Sequence, residues 1–212
     1  MHPWWAPADA ISGVVLGLLL AASVSTWAVL LSQTWRLRRV QHDLSLSKAL
    51  FWQAPDWPQG LQVLQNTEKE GLLSRLAQAG HAPQAGTLAA RASVPAQTER
   101  ALRDALHQAS ARLHHGHTFL ASVAACAPFV GLLGTVWGVR RAMLGMEAST
   151  LAGLDRLAAP VGEALLMTAL GLGVAIPAVI AYNLLSRQAR SLEAELEGFA
   201  HDLLALRAPP QA

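Results

Sequence analysis

Ala127-Pro128-Phe129-Val130-Gly131-Leu132-Leu133-Gly134-Thr135-Val136-Trp137-Gly138 places a proline, three glycines and one hydroxyl inside a stretch apolar enough to cross a bilayer. A helix built only as an anchor is served by Leu, Ile and Val. Small residues instead let backbones pack closely, and a threonine offers a polar atom where water is scarce. The run therefore predicts a helix with work to do inside the membrane.

Composition agrees. Of 212 residues, 52% are hydrophobic and only 14% are charged, against about 25% charged in an ordinary soluble domain. Three windows lack Asp, Glu, Lys and Arg altogether: Ala10 to Trp35, Thr118 to Val139 and Ala164 to Ser186. Each reaches the length of about 20 residues that a spanning helix needs. The expectation is an all-α membrane protein with three transmembrane helices, spans two and three extending into a cytoplasmic helical lobe. The chain divides accordingly into 1-35 (N-terminus and first span), 36-117 (polar helical region), 118-143 (second span), 144-159 (short loop), 160-186 (third span) and 187-212 (C-terminal helix).

Orientation follows from the 16 Lys and Arg. None precedes the first span, ten lie between the first and second, three between the second and third, and three follow the third. An N-out, C-in arrangement obeys the positive-inside rule, although Arg140 and Arg141 pull locally the other way. The first span lacks a basic n-region and reads as retained rather than cleaved. Trp4 and Trp5 are expected at the outer interface, Trp27 and Trp35 toward the inner one. The single Cys126 offers no intramolecular disulfide. A net charge of +2 without a basic and aromatic surface pattern gives no case for nucleic acid.

In the polar region, Asp43 to Trp52 reads as a short helix, followed by a turn over Ala54 to Gly60. A second helix is expected over Leu61 to Ala79, and Gly80 to Pro95 as part loop. Gln97 to about Met143 reads as one helix of roughly 70 Å. The third span begins at Pro160, favoured in a first turn, and continues past Tyr182 into Arg187 to Leu206, an amphipathic tail expected to pack on the lobe.

Thr135 and Thr168 each lie about eight residues, roughly 12 Å, from the same end of their spans, and so are expected at one depth. Thr135 shares a face with Ala121, Ala124, Pro128, Gly131 and Ala142. Thr168 shares one with Val161, Ala164, Gly171, Ala175 and Val179. These stripes suit either helix packing or the wall of a pore formed by several copies. Glu163, the acid in the outer part of span three, sits about 140° from Thr168; it suits a helix N-terminus or an interhelical contact. Pro128 and Pro177 each remove a backbone hydrogen bond on the inner half. His107, His114, His115 and His117 lack metal-ligand spacing, and no nucleophile with a base, phosphate loop or paired catalytic carboxylate is evident.

Together with Pro160-Val161-Gly162-Glu163-Ala164-Leu165-Leu166-Met167-Thr168-Ala169-Leu170-Gly171-Leu172 and Ala175-Ile176-Pro177-Ala178-Val179-Ile180-Ala181-Tyr182-Asn183, the opening run resembles the ExbB/TolQ branch of the MotA/TolQ/ExbB proton-channel family. The resemblance implies a non-enzymatic, cofactor-free homopentamer in a bacterial inner membrane. It implies a dimer of a single-span ExbD-like protein in the pore, its membrane aspartate carrying the proton, and a TonB-like transducer driven by the assembly, in contact with membrane lipid. By that likeness Thr135, Thr168 and Glu163 serve the proton pathway; the stripes and prolines read above add Ala124, Pro128, Gly131, Ala164, Gly171, Ala175 and Pro177 as residues that would face or shape its wall. A TolQ-like role in envelope maintenance and a non-conducting scaffold stay open. Two departures stand out: Cys126 precedes the Ala-Pro step where Thr or Ser is commoner, and Arg140-Arg141 make the exit from span two unusually basic.

Overall fold

A chain this apolar with so few strand-like alternations should fold into helices, and the computed structural model describes helices and short turns over residues 10-81, 93-147 and 158-207. The helices are α1 (Ala10–Gln53), α2 (Trp57–Thr67), α3 (Leu72–His81), α4 (Val94–Leu113), α5 (His117–Glu147) and α6 (Ala158–Arg207). Three of them, α1, α5 and α6, are long and apolar enough to cross a membrane. Trp4, Trp5, most of the expected loop at 144-159 and most of the Gly80 to Pro95 segment lie outside the described residues.

Four boundaries differ from the sequence expectation. Asp43 to Trp52 is no separate helix but the end of the 44-residue α1. Between Leu18 and Gln53 there is no glycine or proline to stop it. The expected turn shrinks to 54-56, because Asp56 caps α2 by accepting from the Gln59 N–H at 2.9 Å, which puts Pro58 in the first turn. The helix expected over Leu61 to Ala79 is broken at 68-71. There Gly71 adopts a φ of 64°, and the Glu68 carboxylate accepts from the Leu73 and Ser74 N–H groups at 3.0 Å each, starting α3 afresh. Last, the 70 Å helix does not exist. His114 to Gly116 form a turn in which the His114 N–H reaches the Ser110 carbonyl and Gly116 takes a φ of 83°, a value that glycine adopts readily.

The chain forms two compact units. The first contains α1 up to Ser32, α5, and α6 up to Leu184. Its core joins Val15 and Leu19 of α1, Ala127 of α5, and Met167, Val174 and Ala175 of α6. The outward faces are as apolar as the core: Phe129 is 71% exposed, Leu165 61% and Val136 60%. Such surface would drive aggregation in water, whereas hydrocarbon solvates it. Polar groups here are satisfied locally, as where Thr26 donates to the Ala22 carbonyl at 2.8 Å.

The second unit holds the rest of α1, α2 to α4, and α6 from Leu185. The tail of α6 buries Leu185, Leu192, Leu196, Phe199 and Leu203, a spacing of threes and fours that lines one helical face. Phe199 meets Phe51 edge-on at 5.3 Å, and Trp57 meets the same Phe51 at 5.7 Å, so α1, α2 and α6 share one aromatic cluster. Arg36 ties three segments together. Its guanidinium donates to Glu70 at 2.8 Å, to the Gln33 side chain at 3.3 Å and to the Arg112 carbonyl at 2.9 Å.

Candidate functional site

The two glycine-bearing motifs meet. A Cβ added at Gly131 of α5 would lie 2.7 Å from the Met167 carbonyl oxygen and 3.1 Å from the Gly171 and Thr168 Cα atoms. One added at Gly171 of α6 would lie 2.7 Å from the Ala127 carbonyl oxygen. Backbone thus touches backbone, a contact only hydrogen side chains permit. Farther along, Gly138 abuts the Ala164 Cβ, and Gly134 is closed in by Met167 and by Val15 of α1.

This seam brings both threonines together. The Thr168 hydroxyl donates to the Thr135 hydroxyl at 3.4 Å, and Thr135 in turn donates to the Leu132 carbonyl at 2.7 Å. Thr135 is buried and Thr168 half-buried. Because each hydroxyl has one proton and two lone pairs, the chain Thr168 to Thr135 to Leu132 consumes both protons and leaves the Thr168 oxygen free to accept. The pair is a neutral acceptor site on an apolar wall, able to take a hydrogen bond from water or from a protonated carboxyl group, but unable itself to hold a charge near neutral pH.

The remaining predicted positions separate around it. Gly131, Ala164, Gly171 and Ala175 are buried between helices of the same chain; Ala124, Pro128 and Pro177 are half-buried. Helices α5 and α6 continue through Pro128 and Pro177. Glu163 is half-buried on α6 and pairs with no described cation, Arg140 instead lying over the Trp137 ring at 5.1 Å. Near the other end of α5, the buried His117 meets Tyr182 edge-on at 6.1 Å.

Sequence reasoning overlooked a polar junction in the second unit. Glu193 of α6 accepts from the Ser110 hydroxyl and lies 3.2 Å from the His114 imidazole, both on α4 or its C-cap. The one signal in the sequence is the run of histidines, whose spacing speaks to metal binding and says nothing of an acid on a distant helix.

Similarity to known proteins bears on the same residues. The model of the MotA/TolQ/ExbB proton channel family matches residues 68–198, a span containing both motifs. The chain is 39% identical over 207 residues to the biopolymer transport protein ExbB of Xanthomonas campestris pv. campestris, covering 93% of this chain and 82% of that one. It is 47% identical over 102 residues to ExbB of Neisseria gonorrhoeae, covering 48% and 46%. It is 30% identical over 206 residues to the Tol-Pal system protein TolQ of Haemophilus influenzae, covering 91% and 86%. With three spanning helices and a seam built from the family's matched segment, this chain belongs to the MotA/TolQ/ExbB proton channel family, on its ExbB-like side.

Proposed function

We propose that the chain is the ExbB-like subunit of an inner-membrane motor driven by the proton-motive force, with its N-terminus outside and its polar unit in the cytoplasm. Copies assemble into a homopentamer around a single-span, ExbD-like dimer and energise a TonB-like transducer. The observation that carries this reading is the hydroxyl pair of Thr135 and Thr168, 3.4 Å apart in an otherwise apolar seam. A wall that accepts hydrogen bonds but carries no charge suits a proton that arrives on another protein's carboxyl group. Protonated, that group is neutral and donates to Thr168. Deprotonated, it is costly to keep against apolar surface and moves away. Glu163, near the outer end of α6, belongs to the entry side of the path in this reading, and Ala124, Pro128, Gly131, Ala164, Gly171, Ala175 and Pro177 set the shape of the wall.

Thr135→Val and Thr168→Val are near-isosteric and remove only the hydroxyls. Proton conductance of the chain reconstituted with an ExbD-like partner should fall with either substitution, most with Thr168→Val, which deletes the free acceptor. Full conductance and energised uptake in the double variant would instead establish a packing scaffold. The full-length similarity to TolQ supports a second reading, a role in envelope maintenance. Rescue of a strain lacking its TonB-linked motor, but not of one lacking its TolA-linked motor, separates the two.

A further inference from the structure

We propose that Arg140 holds the phosphate of an anionic phospholipid whose acyl chain lies along the outward face of α5. At about 100° per residue, Phe129, Leu133 and Val136 fall within roughly 40° of Arg140 on the helix surface. All four are exposed, the three apolar side chains each by more than half. Arg140 stands about 160° round from Gly138, and Gly138 is the residue that abuts the Ala164 Cβ of α6. The stripe therefore faces away from the α5–α6 seam. From Phe129 to Arg140 it rises about 17 Å, close to the roughly 15 Å of hydrocarbon in one leaflet. A cation thus caps an apolar track of about the length that one lipid tail covers.

Depth along the same helix puts that cation at headgroup level. The uncharged window Thr118 to Val139 rises about 33 Å, against a hydrocarbon core of roughly 30 Å. Arg140 is the next residue, about 1.5 Å farther, and Arg141 lies about 3 Å beyond the window. Both fall inside the belt of roughly 5 to 7 Å that headgroups occupy. Track and cations all belong to α5 within the first unit.

The geometry of the guanidinium fits a phosphodiester. Arg140 lies over the Trp137 ring at 5.1 Å. That contact uses the face of the cation, whereas its five N–H donors lie in its plane. The indole therefore orients the fork without consuming a donor, and the fork matches two phosphate oxygens at once. Among the described residues Arg140 closes no ion pair. Arg141 is exposed as well, and no acid interrupts α5 between Phe129 and Leu144. Two adjacent positive charges favour a headgroup that is negative overall and disfavour one that brings its own ammonium.

Native mass spectrometry of the full-length chain in mild detergent tests this, with phosphatidylglycerol, phosphatidylethanolamine and phosphatidylcholine of identical acyl chains. Phosphatidylglycerol should be retained about fivefold over either of the others, the scale of one basic residue at an anionic membrane surface. Arg140→Gln should erase that preference, and Arg140→Lys should keep part of it, because the charge survives while the fork does not. Arg103→Gln removes the same charge from α4, outside the apolar windows, and should leave the preference unchanged. Equal retention of the three lipids by the native chain would overturn the proposal, as would a preference that survives Arg140→Gln or that Arg103→Gln abolishes to the same extent. Displacement of the lipid by inorganic phosphate at equal concentration would assign Arg140 to a soluble anion instead. An altered oligomeric state in Arg140→Gln with lipid preference unchanged would make the stripe a contact between copies.

Discussion

Replacing Gly131 by alanine perturbs the α5–α6 seam at its tightest point. The new methyl would lie 2.7 Å from the Met167 carbonyl oxygen, where a carbon normally keeps about 3.3 Å or more. Neither partner atom belongs to a flexible side chain, so the helices themselves must part by about 0.6 Å. Overpacking of this kind costs about 1 to 3 kcal/mol, offset by the roughly 1 kcal/mol that alanine gains over glycine in a helix. Gly173→Ala is the matched control, because a Cβ there meets nothing within 4 Å; it receives the propensity gain alone. In a denaturation titration in detergent followed by circular dichroism, Gly131→Ala should be less stable than Gly173→Ala by about 1 to 3 kcal/mol. The same 0.6 Å would stretch the threonine hydrogen bond from 3.4 Å to about 4 Å, beyond bonding range, so conductance should fall as well. Equal stability of the two variants would refute the backbone contact, and reduced stability with full conductance would refute its link to the hydroxyl pair.

Three further outcomes follow from the second unit and its boundary. Burial holds the Glu68 carboxyl above its usual 4.5, backbone N–H bonds from Ser74 and Leu73 opposing it and Asp43 adding to it. The folded chain thus keeps that proton where the unfolded chain has lost it, so this group's contribution to stability is full below pH 4.5 and declines as pH rises through the raised value. Denaturant titrations across that range should show the decline flattened in Glu68→Gln, at the expense of about 1 kcal/mol from one lost cap bond; an unchanged slope would count against the assignment. Arg36→Lys cannot reproduce contacts to Glu70, Gln33 and the Arg112 carbonyl and should lower the unfolding free energy by about 1 to 2 kcal/mol, measured the same way. Gly116→Ala forces a side chain onto a φ of 83° and should cost about 1 to 2 kcal/mol. Unaltered stability there would mean that the turn gives way to continuous helix.

What could be read from sequence was what hydrophobicity and spacing encode. Long uncharged windows encode the three spans, and equal residue counts from the span ends place Thr135 and Thr168 at one depth; that their hydroxyls also touch is visible only in the folded chain. The apolar spacing of Leu192, Leu196 and Leu203 likewise announced a buried tail. Helix ends were harder. The short helix expected over Asp43 to Trp52 is the end of α1 because the backbone responds to breakers and caps, and no glycine or proline intervenes before Gln53. At 68-71 the break depends on one carboxylate turning back onto two amides, a tertiary geometry that no periodicity reveals. The Glu193 junction joins residues 83 apart in sequence. Only folding makes them neighbours.

The pairing of Gly131 with Gly171 and of Gly138 with Ala164 also acts as a mechanical detent. A slide of one helical turn would bring Gly131 out of line with Gly171 and set larger side chains against backbone that has room only for hydrogen. Helices α5 and α6 are thus locked in register as a single rigid hairpin. On the function proposed above, a movement coupled to proton passage would take place between this hairpin and a neighbouring molecule rather than within it.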